Sequence, residues 1–546
     1  MRALRTLKIN LNVWSVLSVI FVVLIIIPNI DIIVNMFNKS NENWIHIKTY
    51  LLKDYVINSL RLVVLTGVFS MLVGTVLAWL ISAYDFPMRN LFKWALVLPL
   101  AIPPYIAAYT YNGILNYTGS IQKFLRNVLD VQVDPKYFDI MSINGAVFIF
   151  TMVLFPYVYM ITRAFLEKQS ASLIENARLL GRNSFEIFAY VVLPISRGAI
   201  LGGTTLVAME VLNDYGVVAY FGVPTFSTAI FKAWFSMGDI DSALKLSAIL
   251  MVSVFSIVLI EKLLRGRKKY SYTSRVRPLV RKQLKGAKAA VAVTICSSFL
   301  GFGFIIPTLQ LIHWSTLTYQ KILNMQFIKL MFNSVWVALV ASVLIVTMSV
   351  VIANFCRMQD NWLAKLFSKL TLVGYSIPGA VIAIGVIIFF VQLDYKLQWL
   401  YKLIDPNSIT LVLGTSIVML LFAYVIRFLA VGYQAVESGF DKVGKRFFEA
   451  SRMLGKGITQ TFFQVGYPMI KPAVISGLAL AFVDIVKELP LTLILRPYNF
   501  NTLATKTFEY ANDEMIHEAS IASLIIILVS VCSIYLLYKL GDKEKV

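Results

Sequence analysis

The sequence predicts an all-α, polytopic membrane protein of about twelve transmembrane helices, arranged as two tandem six-helix repeats. Three observations point to it. The chain of 546 residues is 58% hydrophobic and only 14% charged, against about 25% charged in soluble domains. Apolar runs of roughly 20 residues, the length that spans a bilayer core, recur from end to end. A short amphipathic segment occurs twice with the same internal spacing, at 175–194 and at 449–468. A β-barrel would instead show alternating segments of about 10 residues.

The elements follow in order. Arg2, Arg5 and Lys8 precede the apolar run 13–36. That run is too long for a cleavable signal and no small-residue cleavage site follows it, so it reads as the first membrane helix. The first six spans centre near Ile25, Val73, Ala101, Leu154, Ala208 and Val252. The second six centre near Phe302, Ser342, Ala380, Val418, Leu480 and Leu528. Residues 1–262 make the first repeat, 263–288 a basic linker and 289–546 the second repeat. Lys262, Arg265, Arg267, Lys268, Lys269, Arg275, Arg277, Arg281, Lys282, Lys285 and Lys288 occur with no acid among them, which places the linker in the cytoplasm. An even number of spans then puts both termini on the same side.

Fifty Lys and Arg against 29 Asp and Glu give a formal net charge of +21. In a membrane protein this excess belongs to cytoplasmic loops, and no nucleic-acid-binding module accompanies it. Cys296, Cys356 and Cys532 lie far apart within apolar runs, and His46, His313 and His517 show no ligand spacing. Neither a disulfide framework nor a metal motif is expected. No Gly-rich phosphate loop or nucleophile elbow is present. Any ATP that drives this chain would therefore be bound by another subunit.

The halves repeat beyond hydropathy. Asn58-Ser59 recurs as Asn333-Ser334, and Ile102-Pro103-Pro104 as Ile377-Pro378-Gly379, both 275 residues on. Pro103 and Pro378 fall inside spans, where proline is tolerated if neighbours satisfy the freed carbonyl, and they predict a shared kink. Two six-span halves cross in the same orientation, which implies a pseudo-twofold axis along the membrane normal.

The doubled segment is the most specific signal. The first copy runs Glu175, Asn176, Ala177, Arg178, Leu179, Leu180, Gly181 and reaches Pro194; the second runs Glu449, Ala450, Ser451, Arg452, Met453, Leu454, Gly455 and reaches Pro468. Residues 175–180 have helix-forming composition, and Gly181 can end that helix with positive φ. A second amphipathic stretch, 184–192, follows, and Pro194 is expected to stop it before the next span. The second copy follows the same scheme up to Pro468. Two helix–glycine–helix brackets on one side of the membrane, at matched spacing, predict two docking points.

The spans after each bracket carry ionisable residues. Glu210, Asn213 and Asp214 correspond, 274 residues on, to Asp484, Lys487 and Glu488, with Pro490 following. Charges inside spans face a bundle interior or wet cavity, so these residues are candidates for a pathway or gate. The alternative is a local pair of Asp484 or Glu488 with Lys487. Beyond them, the same offset sets Phe226 against Phe500 and Thr228 against Thr502.

The bracket resembles the EAA loop of ABC-importer permeases. The resemblance implies that Glu175, Ala177, Arg178, Gly181 and Pro194, with Glu449, Ala450, Arg452, Gly455 and Pro468, form coupling loops (about 167–197 and 434–471) that seat in ATPase subunits. Asn176 and Ser451 depart from the family's alanines. The segments around Asp214-Tyr215-Gly216, Tyr220-Phe221-Gly222 and Lys487–Ala504 are similar to the fused, twelve-span ferric-iron permeases. That resemblance implies a type I importer fold in a bacterial inner membrane, with both termini cytoplasmic. It also implies two ATPase copies carrying ATP and Mg, an extracytoplasmic binding protein, and Fe³⁺ as cargo, with no cofactor on this chain. Carboxylates, Tyr215 and Tyr220 supply hard oxygen suited to Fe³⁺, and no metal site is firmly assigned. Thiamine, aminoethylphosphonate and polyamines are alternative cargoes of related permeases. A secondary transporter driven by an ion gradient is the alternative of another class.

Overall fold

The computed structural model describes residues 12–35, 41–131, 133–168, 172–265, 281–359, 361–405, 411–444 and 446–543. Of the basic linker residues, Arg267, Lys268, Lys269, Arg275 and Arg277 lie outside them. Helix dominates, because a chain this apolar must satisfy its backbone polar groups internally wherever lipid replaces water. Twelve helices carry the fold: α1 Val13–Asn35, α2 Leu52–Ala83, α3 Pro104–Leu115, α4 Ile143–Lys168, α5 Leu193–Asn213, α6 Ile240–Arg265, α7 Ala287–Ile322, α8 Met325–Met358, α9 Gly379–Ile404, α10 Ile417–Val443, α11 Tyr467–Val486 and α12 Ile516–Lys543.

Among the described residues, ten helices are long and apolar enough to cross a membrane. They become eleven if the arms Arg89–Ala101 and Pro104–Asn127, bent by 90°, count as one broken span. The remaining expected span is α1, whose apolar part, Val13–Pro28, is shorter. The span expected around Val418 is displaced: Val418 stands in the first turn of α10, which runs on to Val443. Tyr84 and Asp85, directly after α2, pair in parallel with Lys282 and Gln283.

The helices gather into two compact units that are discontinuous in sequence. One comprises Ile45–Ala229, Val252–Ile322 and Lys506–Val546; the other comprises Met1–Trp44, Ile230–Met251 and Leu323–Thr505. The 45–229 unit thus joins α2 to α5 with α7 and α12. In it α2 crosses α4 closely: a Cβ on Gly74 would stand 2.7 Å from the Val158 Cβ. Tyr109, fully buried, shares a 2.6 Å hydrogen bond with Ser523 of α12. The Tyr111 hydroxyl donates to the Phe302 carbonyl of α7 at 2.5 Å.

The 323–505 unit joins α8 to α11 with α1. Here α8 and α10 make the corresponding crossing, with the glycine on the other helix: a Cβ on Gly432 would stand 2.8 Å from Ile345 Cγ2 and Ser349 Oγ. Small residues at such crossings let helices pack closely where lipid offers no hydrophobic drive between them. The Ser18 hydroxyl of α1 donates to the Val351 carbonyl at 3.4 Å, and the Trp14 indole N–H donates to Thr459 Oγ1 at 3.2 Å. Each unit therefore combines the core of one sequence copy with the leading helix of the other.

Candidate functional site: a doubled helix–glycine–helix bracket

In the first bracket, a helix Ser172–Leu179 ends at Gly181, whose φ is +78°. Gly181 N–H donates to the Arg178 carbonyl at 3.0 Å and Arg182 N–H to the Ala177 carbonyl at 3.1 Å. In the second, the helix Arg446–Met453 ends at Gly455, with φ +80°. Gly455 N–H donates to the Arg452 carbonyl at 3.0 Å and Lys456 N–H to the Ser451 carbonyl at 3.3 Å. Both are Schellman caps, which place the residue after the helix in the left-handed region and favour glycine there. No atom lies within 4 Å of where a Cβ would stand on either glycine, so conformation, not space, selects the residue.

The small residue at the third position has a packing reason. Ala177 is buried with Ile174, Ile187, Val192 and Trp79. Its counterpart Ser451 is buried too, and shares a 3.0 Å hydrogen bond with Thr461, the counterpart of Ile187. An apolar pair in one copy is thus a hydrogen-bonded pair in the other, which keeps the buried hydroxyls satisfied. The middle position, Asn176 or Ala450, is exposed in both copies, as are Glu449 and Arg452, while Glu175 and Arg178 are half-buried. The bracket tips carry a feature that motif reading passed over. Leu179 and Leu180 are 86% and 82% exposed, and Met453 and Leu454 are 89% and 81% exposed. Two adjacent, fully presented apolar residues before each glycine were visible in the sequence, but only the cap geometry turns them outward.

The second bracket helices start alike. The Asn183 side chain accepts from Glu186 N–H at 2.9 Å and Glu186 accepts from Asn183 N–H at 3.0 Å. In the other copy Gln460 accepts from Gly457 N–H at 3.3 Å. Pro194 and Pro468 do not stop these helices, contrary to expectation. Wide turns, Phe188–Val192 and Phe462–Gly466, carry the chain into α5 and α11, making continuous helices Ser184–Asn213 and Ile458–Val486. A wide turn relieves the clash between a proline ring and the carbonyl four residues back.

The charged segments follow the same pairing. Asp214 ends α5 and accepts from Val217 N–H at 2.8 Å; Glu488 follows α11 and accepts from Leu491 N–H at 3.1 Å. Each carboxylate, one residue before the N-cap, thus accepts from the first turn of the next short helix, Gly216–Tyr220 or Pro490–Leu495, the latter opened by Pro490. Glu210 and Asn213 are half-buried near the end of α5. Asp484 pairs with Lys487 at 2.9 Å. Glu488 pairs instead with Arg427 of α10 at 3.2 Å, both side chains at least nine-tenths buried. Arg427 also donates to the Ile377 carbonyl at 3.4 Å, at the break before α9 where Pro378 is the N-cap. A Cβ on Gly379 would stand 3.0 Å from both Arg427 Nη1 and Glu488 Oε1. Sequence reading missed Arg427 because its partner lies far along the chain, and the corresponding first-copy residue is Val153. Pro103 is the N-cap of α3 at the first-copy break.

The doubled Asn-Ser pairs also find a role. Ser59 Oγ accepts from Phe226 N–H at 3.2 Å, and Ser334 Oγ accepts from Leu503 N–H at 2.7 Å. Thr225 N–H donates to Thr228 Oγ1 at 2.8 Å, and Thr502 N–H to Thr505 Oγ1 at 2.9 Å. Thr228 therefore matches Thr505 rather than Thr502: the second copy is three residues longer before this clamp, and the expected pairing of Phe226 with Phe500 shifts to Leu503. Among the described residues, no group of three or more His, Cys, Asp or Glu is placed to hold a metal ion.

The profile of the family described as "binding-protein-dependent transport system inner membrane component" matches residues 62–261 and 345–545, one match around each bracket. The chain belongs to this family. The permease is similar to the Fe(3+)-transport system permease protein FbpB 2 of Haemophilus influenzae, 24% identical over 491 residues that cover 89% of this chain and 90% of the relative. It is also similar to the ferric transport system permease protein FbpB of Actinobacillus pleuropneumoniae, 23% identical over 86% of this chain and 70% of the relative. A match to the sulfate transport system permease protein CysT of Salmonella typhimurium, 25% identical, covers 37% of the permease and 72% of that relative. The permease is thus a multi-pass inner-membrane transport subunit that works with a substrate-binding protein and ATPase partners.

Proposed function

We propose that this permease carries ferric iron, released by an extracytoplasmic binding protein, between two six-helix repeats driven by two copies of an ATPase subunit. The doubled bracket carries the reading. Two Schellman-capped turns at matched positions each present an apolar pair, and a pair of equivalent ATPase subunits would need two equivalent seats. The iron assignment rests on the printed names of the relatives that cover most of the chain. Both termini and the basic linker lie on the bracket side, in the cytoplasm. ATP and Mg bind the partner subunits and this chain binds no cofactor. Alternating access follows when ATP closes the ATPase pair and moves both brackets, since a ligand drives only the change for which its affinity differs. Glu210, Asn213, Asp214, Asp484, Lys487, Glu488 and Pro490 are the pathway or gate candidates, charged or kinked at the ends of spans.

The test is reconstitution of the permease with its ATPase and binding protein in liposomes, reading ATP hydrolysis and radioactive iron uptake. Iron-loaded binding protein should stimulate hydrolysis and support uptake. Stimulation by loaded binding proteins for thiamine or sulfate, with none by iron, would overturn the cargo and leave the permease assignment intact.

A further inference from the structure

At the end of the 45–229 unit remote from its bracket lies a cavity of about 760 Å³. It takes Asn112 from the last turn of α3, Lys123 from the segment after it, Gln310 and His313 from α7, and Glu514 and His517 from the start of α12. The cavity therefore sits where spans leave the bilayer. Its wall holds charge of both signs, Lys123 and Glu514, among neutral hydrogen-bonding groups. The Gln310 side chain accepts from Ser120 Oγ at 3.1 Å, yet its Nε2 is buried and finds no acceptor among the described residues. Glu514 adopts φ +61° in a cap like those of the brackets, with Met515 N–H donating to the Tyr510 carbonyl at 2.8 Å. The brackets use glycine at that position, whereas here a carboxylate is held at the cavity wall.

A second feature adjoins it. Phe302, Ile305, Leu309 and Ile312 of α7 form a stripe at helical spacing, 46%, 43%, 59% and 46% exposed, and Leu309 stands one turn before His313 of the cavity lining. We propose that this cavity binds the headgroup of a phospholipid bearing a primary ammonium, a phosphatidylethanolamine, with its acyl chains along the α7 stripe. Lys123 and Asn112 donate to the phosphate, and Glu514 accepts from the ammonium. A quaternary ammonium has no N–H to donate to Glu514, and a phosphatidylglycerol has no cation to offer it.

The full-length permease, purified in detergent, tests this by native mass spectrometry of the lipids it retains. Phosphatidylethanolamine should be retained over phosphatidylcholine of the same chains. Glu514→Gln and Lys123→Ala should each lower retention about tenfold, the scale of one charge-assisted hydrogen bond, and Leu309→Asp should lower it by setting a charge against the acyl chains, with the unfolding temperature of each variant unchanged. Glycerophosphoethanolamine, which has the headgroup but no chains, should not displace the lipid at millimolar concentration. Equal retention of both lipids, or retention unaltered in the three variants, would overturn the proposal. Displacement by glycerophosphoethanolamine would overturn the lipid and assign the cavity to a soluble zwitterion.

Discussion

Gly181 and Gly455 stand in open space at φ near +80°, so replacements at these sites separate conformation from contact. An L residue held in the left-handed region loses about 1–2 kcal/mol, and asparagine tolerates it best. Asparagine at either glycine should leave coupled ATP hydrolysis near wild type, and valine should lose it while the protein remains in the membrane. Full iron uptake with valine at both positions would remove the brackets from the mechanism. Arg427 allows a sharper energetic statement. Removing one member of a buried ion pair strands the other charge, which costs about 3–5 kcal/mol, whereas replacing both by apolar residues can be neutral. Arg427→Met should therefore lower the unfolding temperature markedly, and Arg427→Met with Glu488→Met should restore most of it. Asp239, which precedes α6, is a third case. Burial favours its neutral form, but hydrogen bonds from Ser242 and from the Asn41 side chain outweigh that and hold the carboxyl below the usual range. A lowered value in the folded state contributes stability above about pH 4, the unfolded carboxylate value, and this is lost as pH falls through the folded value. Hydrogen exchange at the first turn of α6 should rise with acid in that window, and Asp239→Asn should remove the dependence.

Among the elements, those with a local cause were legible. The bracket helices follow from helix-forming composition closed by a glycine, and both copies show the same cap. The breaks at Pro103 and Pro378 sit where the proline has no N–H to give. What escaped sequence reading depended on distant partners. Pro194 and Pro468 read locally as stops, but a wide turn just before each lets the helix pass. The ion pair of Glu488 with Arg427 escaped because Arg427 stands on another helix. Asn-Ser at the head of α2 and α8 read as a repeat mark, and its purpose came from segments 167 and 169 residues away. Those serines make an element-scale prediction. Ser59→Ala and Ser334→Ala each remove one buried acceptor, worth about 1 kcal/mol. Amide exchange should quicken at Phe226 in the first variant and at Leu503 in the second, each without effect on the other site.

For the whole molecule, the two-copy plan was legible from hydropathy and an offset that stays within 274–277 residues, because both are read along one chain. The composition of the compact units was not, since no local signal says that α1 packs with α8 and α9 or that α7 and α12 pack with the first-copy core. Deletion of α1 should therefore increase exchange in α8 and α9 while leaving α2 and α4 protected, as read by peptide-level mass spectrometry.

The hydrogen bond between Tyr109 and Ser523 carries a consequence for how the chain is made. The 45–229 unit includes Lys506–Val546, so its last helix leaves the ribosome after the whole of the segment Leu323–Thr505. Until then the Tyr109 hydroxyl, enclosed in the finished unit, has no Ser523 to bond. The unit that holds most of the first copy is completed after the other, and a ribosome that stalls just before Ile516 releases a protein with both brackets formed and one unit unfinished. Such a product should be cleared by membrane proteases rather than accumulate as a permease able to engage its ATPase without a closed path.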